Sequence, residues 1–75
     1  MSWNHRVVRI EEFGESLFMI QEVFYGDEGE PLGYAEPSMV SDTLLGLKQT
    51  LERMDKALQQ PVLDAETDFK GGKVR

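Results

Sequence analysis

The sequence predicts an α+β fold: a three-stranded antiparallel β-meander (β-β-β-α) with one amphipathic helix packed on it. Three observations carry that expectation. The first half of the chain holds three runs of β-forming residues, separated by turns that contain glycine. A leucine-rich segment with apolar residues at helical spacing follows. Finally, a chain of 75 residues buries only about 60% of the surface its unfolded form exposes, which allows one small core and no second domain.

From Trp3 to Ile10, β-branched and aromatic residues interleave with polar ones, the mark of a half-buried strand. From Ser16 to Tyr25 nearly every position is apolar, as expected of a central strand covered on both faces. Between them lies Glu12-Phe13-Gly14-Glu15, where glycine supplies the positive φ of a tight hairpin. With Phe13 and Gly14 as the loop, Trp3, His5, Val7 and Arg9 share one face with Phe24, Glu22, Ile20 and Phe18 opposite them. The other face holds Asn4, Arg6, Val8 and Ile10 opposite Val23, Gln21, Met19 and Leu17. A slip of one residue would match apolar with polar positions less well.

Gly26 to Pro31 reads as a turn with Gly29 in the left-handed conformation, leading into a short strand over Leu32–Glu36. Pro31 and Pro37 bracket that strand and mark it as an edge. Ser41 or Asp42 is the expected N-cap of a helix over about 42–60, whose apolar stripe is Leu44, Leu47, Leu51, Met54 and Leu58. Pro61 ends it. Pro61-Val62-Leu63-Asp64 is free to dock back on the sheet, so residues 1–64 form the expected domain and 65–75 a flexible tail.

The second strand offers apolar residues to both faces, while one helix can cover only one. A second copy of the chain or another small protein is the natural supply for the uncovered face. Composition narrows the partners. With 14 acidic against 8 basic side chains the net charge is −6, which repels phosphate backbones and anionic lipid. Cysteine is absent and histidine occurs once, so disulfides, thiolate chemistry and histidine-rich metal clusters are excluded. No apolar run is long enough to span a membrane, and Met1 to Arg9 lacks the core of a signal peptide; the expected compartment is the cytosol.

Candidate chemistry is sparse. His5 opposite Glu22 could act as an acid–base pair, but an exposed cross-strand pair is the simpler reading, and no nucleophile accompanies it. None of Ser2, Ser16, Ser38 or Ser41 lies in a nucleophile-elbow motif. Asp27, Glu28 and Glu30 lack the spacing of a calcium loop. Trp3, Phe18, Phe24, Tyr25 and Tyr34 resemble a base-stacking platform, yet only Arg6 and Arg9 could flank it, which favours core or interface aromatics. Neither an enzyme, a cofactor nor a small-molecule substrate is expected. The candidate interaction residues are Trp3, His5, Phe18, Ile20, Glu22, Phe24 and Tyr34.

Three stretches carry a family resemblance: Trp3-Asn4-His5-Arg6-Val7, Ile20 to Tyr34 through Asp27-Glu28-Gly29-Glu30-Pro31, and Leu51-Glu52-Arg53-Met54 running to Pro61-Val62-Leu63-Asp64. The chain resembles a family of small uncharacterised bacterial proteins, which implies a fold but no activity. It departs from that pattern at Leu45 and Gly46, where many members have an acidic pair. A shorter stretch, Ser41-Asp42-Thr43-Leu44, is similar to the helix opening of HicB-type antitoxins, although their Phe-Pro-x-x-Pro-Gly-Cys stretch is absent. The expected function is a non-enzymatic, homodimeric protein–protein interaction module; the alternative is a HicB-like acidic antitoxin or inhibitor that masks a basic partner.

Overall fold

Phe13 and Gly14 both take positive φ, 52° and 78°, as a two-residue hairpin loop with the twist of its strands requires. In the computed structural model, which describes residues 2–69, this loop joins β1 (Ser2–Glu12) to β2 (Glu15–Tyr25). The register is the expected one, with Trp3 opposite Phe24, His5 opposite Glu22 and Val8 opposite Met19. Gly29 has φ 80°, and a backbone hydrogen bond from the Gly26 amide to the Glu30 carbonyl closes the next turn. The chain then enters β3 (Pro31–Ala35), which lies at the edge of the sheet, antiparallel to β2, with a register shift beside Phe24 and Tyr25.

The sheet has four strands and is mixed, which corrects the expected three-stranded antiparallel meander. Its order is β3-β2-β1-β4, where β4 (Leu63–Asp64) runs parallel to β1 beside Val8 and Arg9. The Ala65 amide donates to the Arg9 carbonyl at 2.9 Å, and Arg9 Nη1 meets Asp64 Oδ2 at 2.8 Å. The segment that follows then turns onto the face of Val8 and Val23. Both valines are wholly buried with Tyr34, and Leu63, Ala65 and Phe69 pack against this cluster. Residues 63–69 therefore cover the middle of the second face, while Leu17 on that face stays exposed. The expected boundary at residue 64 falls short of the packed chain, which reaches Phe69; the remainder of the expected tail, residues 70–75, lies outside the described residues.

The opposite face of β1 carries the helix α1 (Leu44–Ala57), shorter than the expected 42–60. Its N-cap is Thr43 rather than Ser41 or Asp42. Thr43 Oγ1 accepts from the Gly46 amide at 2.9 Å, and Ser41 Oγ accepts from the Thr43 amide at 3.3 Å. A Cβ on Gly46 would collide with Ser41 Oγ and approach Thr43 Oγ1 to 3.1 Å. Glycine costs about 1 kcal/mol against alanine within a helix, but here it leaves room for the cap.

The buried face of α1 passes through Thr50, Met54 and Ala57, which corrects the expected stripe. Leu47 is half-buried, while Leu44, Leu51 and Leu58 are exposed. The helix is thus turned by somewhat less than one residue step of about 100°. Two of the three buried positions, Thr50 and Ala57, are small, so the buried face takes little room beside β1. Thr50 donates its hydroxyl to the Gly46 carbonyl at 3.1 Å, so its burial leaves no orphaned polar group.

Candidate functional site

His5 points from β1 to the face that α1 covers, because side chains alternate along a strand and Val7, the next on that face, is also buried. The expected exposed pair with Glu22 does not form: His5 is only 5% exposed, and both ring nitrogens are buried without a hydrogen-bond partner among the described residues. Glu22 instead accepts from the Ser38 amide through Oε2 at 3.2 Å, which anchors the loop that crosses toward α1. The indole of Trp3 stands edge-on to the imidazole, with ring centroids 5.5 Å apart at 73°.

Burial pushes the His5 pKa below its usual value; the Glu22 carboxylate opposes this and the Arg53 guanidinium reinforces it. The side chain is therefore a neutral imidazole at pH 7. An unfolded histidine titrates near about pH 6.5, so the unfolded chain takes up the proton first. Stability is then full above that pH and declines as the pH falls toward the lower, folded-state pKa. Replacing His5 by phenylalanine is expected to flatten this acid-side slope and to add about 1 kcal/mol at neutral pH, since two unpaired nitrogens leave the interior. Thermal melts of both chains between about pH 7.5 and 5.5 check it; parallel slopes would place the acid sensitivity elsewhere.

A cleft of about 260 Å³ opens beside His5, lined also by Asn4, Arg53, Lys56 and Gln60. Arg53 donates to Thr50 Oγ1 at 3.1 Å, and neither Arg53 nor Lys56 has an ion-pair partner among the described residues. The cleft is thus cationic in a protein of net charge −6. A wider depression of about 470 Å³ lies along the outer side of α1, where Lys48 and Lys56 alternate with Glu52 and Asp55 and their charges cancel. The acidic turn of Asp27, Glu28 and Glu30 is self-contained, with Glu30 Oε1 accepting from the Glu28 amide at 3.0 Å. Among the described residues no three His, Asp or Glu side chains gather as a metal site.

Six of the seven candidate interaction residues share the face of α1, and one does not. Trp3 and Phe18 are exposed at opposite ends of that face, Ile20, Glu22 and Phe24 are half-buried between them, and His5 is enclosed. Tyr34 pairs with Val23 and lies in the core on the other side, with its ring 5.0 Å from that of Phe69. Sequence reasoning missed Phe13, Arg53 and Lys56. Phe13 is 97% exposed at the hairpin tip, and its signal was present as an aromatic residue where asparagine, aspartate or glycine is the usual occupant.

Comparison with family models, with curated proteins and with solved structures finds no match for this chain. The Ser41 to Leu44 stretch that carries the antitoxin similarity caps α1 through Ser41 and Thr43. No helix among the described residues is long and apolar enough to cross a membrane.

Proposed function

We propose that this chain is a non-enzymatic, cytosolic protein–protein interaction module that works as a homodimer. One observation carries the reading. Among the described residues eleven large apolar side chains are exposed, against six apolar residues in the buried core. Single exposed leucines are ordinary on a protein surface, but this balance is reversed for so small a domain and fits a surface covered by another chain. The exposed residues include Leu44, Leu51 and the C-cap residue Leu58, which repeat every seven positions from the start of α1 to its end.

The site chemistry points the same way. A general acid or base must reach the proton it transfers, and the ring nitrogens of His5 are enclosed with no carboxylate oriented on them. Acidic residues outnumber basic ones, which disfavours nucleic acid and anionic membranes as the covering surface. Sedimentation equilibrium is expected to return twice 8.6 kDa at concentrations of about 10 µM and above. A mass of one chain up to hundreds of micromolar, with a folded spectrum, would overturn the reading.

A further inference from the structure

Three unfavourable features meet at the hairpin tip. Phe13 holds φ 52°, a region that bulky side chains rarely adopt, and gains no burial in return. Glu12 and Glu15 face each other directly across the strands, where like charges are destabilising. Neither has a cationic partner among the described residues, whereas Glu11 next to them is engaged by Arg9 and Ser16. The exposure of the Phe13 ring and the like-charge repulsion between Glu12 and Glu15 are both relieved by a surface that is hollow and cationic.

The molecule carries such a surface at the other end of β1. We propose that the hairpin tip of one copy docks in the His5 cleft of a second copy, Phe13 filling the cleft while Glu12 and Glu15 meet Arg53 and Lys56. The volume suits the guest: the cleft holds about 260 Å³, and a cavity of about 150 Å³ is enough for a benzene ring. Its two cations lack ion-pair partners among the described residues, so each carboxylate of the tip finds a counter-charge there.

Symmetry completes the contact. His5 on β1 and Phe13 in the loop that follows it are eight residues apart, roughly 26 Å at about 3.3 Å per residue. Two copies related by a two-fold axis, with hairpins running in opposite directions, place each tip at the cleft of the other by the same displacement. The contact therefore forms twice and closes, with no free tip or cleft to extend a filament. This inference rests on the homodimer reading, and it names the surface that the reading leaves open.

Two charge-swapped chains test it together. Glu12→Lys/Glu15→Lys has a basic tip and a basic cleft; Arg53→Glu/Lys56→Glu has an acidic tip and an acidic cleft. Each alone is expected to be monomeric at concentrations where the wild type is dimeric. Mixed in equal amounts they are expected to form a heterodimer, since both tip-to-cleft contacts are then complementary, although each chain keeps a net negative charge. Phe13→Asn, which suits a left-handed turn position better, is expected to weaken self-association at least about tenfold without lowering the melting temperature. It decides the matter alone if either swapped chain fails to fold. Dimers that persist in all three variants, or swapped chains that stay apart when mixed, would overturn the docking and leave the homodimer standing. A wild type that is monomeric throughout would remove both.

Discussion

Replacing Phe69 by alanine is expected to destabilise the fold by about 2–4 kcal/mol, reasoning down from about 3–5 kcal/mol for an aromatic residue truncated in a full core. The reduction reflects the half-buried position of Phe69. What it loses is specific: an edge-to-face contact with Tyr34 at 5.0 Å and packing against the cluster of Val8 and Val23. A domain of this length has a total stability of about 4–11 kcal/mol, so the change removes a large share of it. The urea midpoint should fall with little change in slope. A loss within about 0.5 kcal/mol, the range of ordinary surface positions, would return residues 65–69 to the status of a tail.

On the other side of the sheet, Met54→Ala is expected to cost about 2–5 kcal/mol and Leu51→Ala no more than about 1 kcal/mol. The two residues are neighbours on the helix surface and both are apolar, yet Met54 is 9% exposed and Leu51 is 52% exposed. Truncating Met54 leaves a cavity against β1. Truncating Leu51 removes surface that water already reaches. Chemical denaturation of the two single variants measures the rotation of α1 directly, and a larger loss at Leu51 than at Met54 would restore the leucine stripe as the packing face.

The strand pairing was legible because its determinants are local. The two-residue loop sets the register, and a slip of one residue would match apolar with apolar residues less well. Gly29 and the two prolines placed the edge strand in the same way. The helix was legible in existence and not in orientation. A leucine stripe marks where a helix is apolar, but the side that packs against the sheet is the one through Thr50, Met54 and Ala57. The candidate site shows the same division. The pairing of His5 with Glu22 followed from register, but the burial of His5 depends on α1, and the Ser38 amide that Glu22 accepts from lies on a loop far away in sequence.

By itself the sequence determined the first three strands, the hairpin loop, the presence and approximate limits of the helix and the acidic charge, because each depends on neighbours in the chain or on composition alone. Only the tertiary structure decided that Leu63–Asp64 adds a parallel strand, that Phe69 covers the second face, that α1 turns its leucines outward and that Arg53 and Lys56 stand beside His5. These depend on contacts between residues some fifty positions apart, such as Arg9 with Asp64 and Arg6 with the Pro61 carbonyl. Periodicity reports which side of an element is apolar. Which apolar surfaces meet is settled by the loss of chain entropy on closing long loops, set against the burial that each closure achieves.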